Sequence, residues 1–335
     1  MFDPIKASKE IKDSYIDYIT TTFDMADTDY EREFRKELQT DGTVASGPFL
    51  DIGGSYETGH TLRELIQAQK ASVLFESLEP VAEKERELKL DRPLYQHQEA
   101  AMLKAGKGEN LVVTTGTGSG KTESFLLPII DHLLREQEAG TLSAGVRAII
   151  IYPMNALAND QMKRMRALFK NYPQICYGVY NGNTEHTQSK ALAEYHRTYH
   201  DEAGEPIDPA PNEIISREIM QEKPPHILIT NYSMLEYMML RPKDDAVFSG
   251  AKLKFIVLDE AHIYKGATGM ETSLLMRRLR ARISEPDSVQ YILTSATLGG
   301  PDADGDILSF AEKLCGVAFQ RSGIIRSTEK RPAME

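Results

Sequence analysis

Residues Thr114 to Glu123 read TTGTGSGKTE and stand directly behind the apolar run Leu111-Val112-Val113. A β-branched run that breaks into a glycine-rich turn and then a Lys-Thr pair predicts a strand handing over to a helix, whose first backbone N–H groups can wrap a phosphate chain. Gly116, Gly118 and Gly120 permit the sharp turn and the close backbone approach, because a Cβ there meets the ligand or strains a positive φ. Lys121 then reaches the terminal phosphates and the Thr122 hydroxyl ligates Mg2+, with Thr115, Thr117 and Ser119 completing the loop. The strict pattern G-x-x-x-x-G-K-[ST] is not met, since Thr115 stands at its first glycine. The bland alternative is a glycine-rich turn that happens to end in Lys-Thr. It is opposed by the strand before the turn and by the helix-forming Ser124-Phe125-Leu126-Leu127 after it.

Outward from this loop, the 335 residues suffice for one large α/β domain, or a domain with an appended one, around a sizeable core. A formal net charge of −11 argues against a protein that coats nucleic acid or anionic membrane by bulk charge, and leaves room for a local basic cleft. Cys176 and Cys315 make neither a disulfide framework nor a metal cluster, so buried reduced thiols in a cytoplasmic protein are expected. The N-terminus MFDPIKASKEIKD is charged and lacks the apolar centre of a signal peptide. No stretch approaches the ~18 apolar residues that a membrane span needs.

Residues 1 to about 40 have helical spacing at Ile5, Ile11, Tyr15, Ile16 and Ile19, and residues 41 to 60 read as loop. Helical spacing returns at Leu62, Leu65 and Ile66, then Pro80 and the charge run Glu83 to Lys89 suggest a solvated connection. The expected organisation is a helical accessory region over 1–90, a main domain over 91–320 and a tail over 321–335. Within the main domain, short apolar runs recur at Leu111 to Thr115, Val146 to Tyr152, Ile175 to Tyr180, His226 to Thr230, Phe255 to Asp259 and Tyr291 to Thr294, separated by amphipathic stretches. That rhythm predicts an α/β fold, a parallel sheet with helices on both faces and ligands at the carboxyl ends of its strands. Residues 182–225 break the rhythm and read as an insertion. Its His186, His196 and His200, with the adjoining His226, match no compact metal spacing and are expected on solvated surface.

Two further motifs end apolar strands. Phe255 to Leu258 delivers Asp259 and Glu260, and if that strand lies beside the phosphate-loop strand, Asp259 can hold Mg2+ while Glu260 orients and deprotonates the attacking water. Ser295-Ala296-Thr297 follows the last run and gains meaning from its place after the other two.

At this point the chain resembles a superfamily 2 helicase of the DEAH/DExH type. The likeness runs from Pro93 to about Leu298: LYQHQEAA (Leu94 to Ala101), TGTGSGKT, YPMNALANDQ (Tyr152 to Gln161), TNYSML (Thr230 to Leu235), DEAH (Asp259 to His262) and SAT (Ser295 to Thr297), in the family's motif order. It implies a RecA-like ATP-binding lobe in which Gln98 reads the adenine edge and Thr115 in the glycine position is normal. It further implies that His262, beside Glu260 and Lys121 in the catalytic set, acts with Ser295 and Thr297 to couple nucleotide state to the grip on nucleic acid. The wording of YPMNALANDQ, of Gly182-Asn183-Thr184 and of the segment after DEAH looks like bacterial helicases of DNA repair and phage defence.

Asn155, Thr230 and Asn231 are short polar residues at strand ends, suited to the phosphates of a single strand, with DNA ahead of RNA. Lys163, Arg166 and Lys170 fall on one helical face, which is equally an ordinary solvated face. Arg277, Arg278, Arg280 and Arg282 can cap a helix end, face solvent or meet a partner. Motors of this superfamily use a second RecA-like lobe, and the residues after Leu298 are too few for one. The expectation is therefore the first lobe of a helicase or translocase using ATP and Mg2+, weak or inactive by itself. The rival is a nucleotide-dependent binding subunit of a defence or repair complex that never translocates, and a P-loop kinase is more distant.

Overall fold

The computed structural model describes residues 3–23, 25–47, 55–79, 88–116, 118–201, 203–249, 251–299 and 301–330. The chain divides into two compact units, Met1–Gly54 and Ser55–Glu335. The first carries two helices, Pro4–Thr22 and Thr28–Gln39, where the sequence suggests one helical stretch. Each is opened by an aspartate: Asp3 accepts from Ile5 N at 3.0 Å and Asp27 from Asp29 N at 2.9 Å. The second cap starts a new helix where the first has ended.

The second unit is built on strands β1 (Thr58–Thr61), β2 (Pro93–Tyr95), β3 (Leu111–Thr114), β4 (Ala148–Ile151), β5 (Tyr177–Tyr180), β6 (Glu213–Ile214), β7 (Ile227–Thr230), β8 (Phe255–Leu258), β9 (Gln290–Ser295) and β10 (Ile324–Arg326). β1 and β2 pair antiparallel; the other eight form a parallel sheet in the order β10-β3-β9-β8-β4-β7-β5-β6. Successive residues of each central strand enter different cores. Leu111, Val113, Ile150 and Val257 pack with the helices Gln96–Ala105, Lys121–Glu138 and Asn155–Phe169 through Ala101, Phe125 and Met165. Val112, Ile149, Ile256 and Leu293 pack with Tyr232–Leu240, Gly266–Arg282 and Asp304–Cys315 through Leu235, Leu275 and Leu314. A parallel sheet buried on both faces needs apolar side chains at every position, which is why these runs are continuous rather than alternating. Cys176 and Cys315 are buried, unpaired thiols whose pKa values are pushed up by burial.

Residues 58–78 belong to the same compact unit as the sheet, so the division falls at Gly54/Ser55 and not near Asp91. The reason is burial: Leu62, Leu65, Phe75 and Leu78 lie in one core with Leu111 and Phe125. Ser72 N also donates to Asp131 Oδ1 at 2.7 Å. Most of the charge run Glu83 to Lys89 lies outside the described residues. Residues 182–225, expected to be an insertion, contribute the helices Gln188–Thr198 and Arg217–Glu222 and add β6 to the sheet edge, while β10, within the expected tail, adds the opposite edge. His226 departs from the expected solvated surface: it is buried, its Nδ1 accepts from Cys176 N at 2.9 Å, and burial lowers its pKa. Among the described residues no helix is long and apolar enough to cross a membrane.

Where β5 meets β6 the sheet requires a glycine. A Cβ on Gly178 stands 2.6 Å from Ile214 O and 2.5 Å from Met220 Cε. Gly178→Ala is expected to destabilise the unit by about 1–3 kcal/mol through overpacking, read as a lower denaturant midpoint.

Candidate functional site

The loop after β3 opens at the carboxyl end of the sheet, where ligands of parallel sheets bind. Thr115 is tied down twice: its N–H donates to Ser295 O at 3.2 Å, and its Oγ1 accepts from Ser119 Oγ at 2.7 Å. A side-chain hydroxyl thus fastens the turn at the position where the strict pattern has glycine. Gly118 and Gly120 have φ of +75° and +73°, and Gly120 caps the helix that Lys121 and Thr122 begin. A Cβ on Gly120 lies 2.3 Å from Gln98 Nε2, and one on Gly116 lies 2.9 Å from the Tyr56 hydroxyl. Thr117 lies outside the described residues.

Gln98 touches the loop directly, and both ends of its buried amide are engaged. Oε1 accepts from Tyr95 N at 2.9 Å and Nε2 donates to Gly120 O at 3.1 Å. Beside it, His97 Nε2 lies 2.8 Å from Ser119 O, so the neutral ring, favoured because burial lowers its pKa, carries its proton on Nε2.

The DEAH strand does not lie beside the phosphate-loop strand, because β9 stands between β3 and β8. Lys121 nevertheless crosses that gap, with Nζ 3.2 Å from Glu260 Oε1. Glu260 itself has φ of +48°, a strained value for a residue with a Cβ and one found at sites that must aim a side chain. The Asp259 carboxyl is pushed above its usual pKa by burial, with Glu260 adding repulsion, while the Thr294 hydroxyl donates to its Oδ1. His262 Nδ1 lies 3.1 Å from Ser295 Oγ, which accepts from Thr297 N at 3.1 Å. The same Nδ1 is 3.3 Å from Glu260 Oε2, an ion-pair distance without hydrogen-bond geometry.

The structure therefore brings Thr115, Gly120, Lys121, Glu260, His262, Ser295 and Thr297 into one connected set. Thr122 and Asp259 are hard oxygen donors of the kind Mg2+ takes, so the donor chemistry fits the ion, and the buried Glu260 Oε2 beside them lacks a hydrogen-bond partner.

At the ends of the neighbouring strands β4 and β7, Asn231 Nδ2 donates to Asn155 Oδ1 at 2.8 Å, and Asn231 Oδ1 accepts from Met234 N at the start of its helix. Thr230 is turned inward: 1% exposed, its hydroxyl donates to Tyr180 O at 2.7 Å. The basic face is not one solvated stripe. Arg166 grips Glu213 with bonds of 2.8 and 2.6 Å and lies 4.4 Å over the Tyr199 ring. Arg278 pairs with Glu236, Arg280 with Asp287, and Arg282 donates to Met239 O, so these arginines fasten their helix to its neighbours.

Three contributors escape the sequence reading. Thr294 hides inside an apolar strand. Arg164 pairs with Glu123 across helices, and no spacing rule signals such a pair. Tyr56, edge-on to Tyr95 at 5.5 Å and His97 at 5.8 Å, comes from a glycine-rich stretch without periodicity.

A parallel α/β sheet with a glycine loop, Lys-Thr and a facing Asp-Glu pair defines a P-loop NTPase. Residues 95–202 and 205–304 match the DEAD/DEAH box helicase family, and the chain belongs to that family. It is 33% identical to Druantia protein DruE of Escherichia coli (strain UMEA 4076-1) over 97% of this chain and 22% of DruE. It is 30% identical to the ATP-dependent helicase HRQ1 of Saccharomyces cerevisiae over 62% of this chain and 16% of HRQ1. With the uncharacterized ATP-dependent helicase YprA of Bacillus subtilis it shares 30% identity over 64% of this chain and 24% of YprA. The chain thus spans less than a quarter of each of these relatives. Among solved structures, DUF1998 helicase MrfA bound to DNA superposes with a TM-score of 0.55 at 24% identity, covering 82% of this chain and 31% of MrfA. DEAD-box helicase Mss116 bound to ssRNA and UDP-BeF gives 0.57 at 18%, covering 78% and 44%. At these identities the likeness shows the RecA-like fold.

Proposed function

We propose that this chain is the ATP-binding and hydrolysing first lobe of a superfamily 2 DNA helicase or translocase, coupling turnover to movement along nucleic acid when joined to a second RecA-like lobe. The observation that carries this reading is the contact between Lys121 and Glu260, which joins the phosphate loop to the DEAH strand across β9. The loop from Thr115 to Thr122 holds the phosphates of ATP through backbone N–H groups, and Lys121 exchanges Glu260 for phosphate oxygens. Gln98 reads the adenine edge once its amide lets go of Gly120 O. Thr122 and Asp259 would hold Mg2+, which would supply positive charge against the phosphates. Glu260, released from Lys121, orients the attacking water and takes its proton.

The chain from Glu260 through His262 to Ser295 and Thr297 links the hydrolytic carboxylate to the strand leaving β9. This linkage favours a motor over a passive binding subunit, because a group that senses the γ-phosphate then moves a neighbouring backbone. Asn155 and Asn231, bonded to each other at adjacent strand ends, face the nucleic acid.

The test is ATP turnover by the full-length protein with and without single-stranded DNA. Stimulation by DNA is expected. DNA-independent turnover, or none under either condition, sinks the proposal.

A further inference from the structure

β9 runs between the two strands whose ends make the site. Its Thr294 sits opposite Val113 of β3, one residue beyond the Leu293 that pairs with Leu258 of β8. Thr294 and Asp259 therefore leave adjacent strands side by side. The Thr294 side chain is fully buried and its hydroxyl donates to Asp259 Oδ1. The next residue, Ser295, approaches His262 with its own hydroxyl at 3.1 Å. One strand thus presents consecutive hydroxyls to the first and last members of DEAH.

Other hydroxyls near Asp259 do not substitute for this bond. Tyr152 and Tyr264 are buried, their hydroxyls have no hydrogen-bond partner, and the Asp259 charge helps push the pKa of each upward. Asp259 follows the end of β8, where the Glu260 N–H reaches its carboxylate from the next residue and Thr294 supplies the lateral bond from the neighbouring strand. A lateral bond to one oxygen fixes the side-chain torsion and leaves the other oxygen for a cation.

We infer that Thr294 is a positioning residue for the metal site, holding Asp259 by Oδ1 so that Oδ2 is aimed at Mg2+. The inference rests on the proposed role of Asp259 and adds a residue outside the DEAH and SAT motifs. Outer-shell partners that orient a metal ligand typically change metal affinity roughly 10- to 100-fold.

The test is Mg2+ titration of the full-length protein with a fluorescent ADP analogue, comparing wild type, Thr294→Val and Thr294→Ser, with a parallel titration of the analogue in EDTA. Thr294→Val is expected to raise the Mg2+ concentration at half-saturation by roughly 10-fold or more. Thr294→Ser, which keeps the hydroxyl, stays near wild type, and metal-free nucleotide binding is the same in all three. Thr294→Ala serves if the valine variant does not fold, with the same shift expected. An unchanged Mg2+ midpoint in the hydroxyl-free variants overturns the inference while leaving the ATP site intact. Equal loss in the serine variant, or a parallel loss in EDTA, overturns it by assigning the effect to packing. A wild type whose nucleotide binding ignores Mg2+ removes the proposed metal site itself, and the inference with it.

Discussion

Glu260→Gln is expected to lower DNA-stimulated ATP turnover by about 10²- to 10⁴-fold, the range that a positioned general base contributes, while nucleotide binds at least as tightly as to wild type. The two halves of this result have one origin. Glu260 is both the carboxylate proposed to take a proton from water and the counter-charge that holds Lys121 at 3.2 Å. The amide keeps the shape of the side chain, so the left-handed backbone at residue 260 and the neighbours of His262 tolerate it. It cannot accept the proton, so turnover falls. It also no longer competes with phosphate for the lysine, and a charge-assisted bond is worth about 1.5–3 kcal/mol, so affinity does not fall. The measurement is steady-state turnover with single-stranded DNA beside equilibrium binding of a fluorescent ATP analogue. Turnover within a few-fold of wild type would exclude Glu260 as the base, and loss of binding would make its role structural.

The central sheet was legible because burial on both faces imposes one rule at each position: Leu111 to Val113, Ile149 to Ile151 and Ile256 to Leu258 are apolar without alternation. The edges were not legible. β6 is Glu213–Ile214 and β10 is Ile324–Arg326, each too short for a period and each fixed by a neighbour's exposed backbone. At the site, glycines, Lys121 and paired acids announced themselves by chemistry that few folds tolerate by accident. Strand order did not, because nothing in Tyr291 to Thr294 says that this run inserts between β3 and β8. Side-chain direction was equally hidden: Thr230 looks like a ligand contact in sequence and Arg166 like part of a basic face, and the structure engages one with Tyr180 O and the other with Glu213.

Asp259→Asn is expected to move stability and activity in opposite directions. It removes a proposed Mg2+ ligand, so its effect on Mg2+-dependent turnover exceeds the roughly 10- to 100-fold that follows loss of an outer-shell partner. In the nucleotide-free protein the same change relieves a cost. Burial, aided by the Glu260 charge, raises the Asp259 pKa more than the Thr294 hydroxyl, the Glu260 N–H and Lys121 lower it. For a carboxyl whose folded pKa lies above the unfolded value of about 3.9, the folded state binds the proton more tightly. Stability is then greatest at a pH below the unfolded value and is lost as pH rises through the folded pKa. Asparagine is neutral at every pH and still accepts the Thr294 bond through Oδ1. The variant's melting temperature should therefore match wild type near pH 4, rise above it as pH increases, and level off once Asp259 is ionised in the wild type. Thermal melts across pH without nucleotide or Mg2+ provide the measurement, and a variant that melts below wild type at pH 7 would show that the carboxylate stabilises the site. A site that holds two adjacent acids against one lysine is expected to give up stability without a ligand, and the proposed binding of Mg2+ and nucleotide would return it.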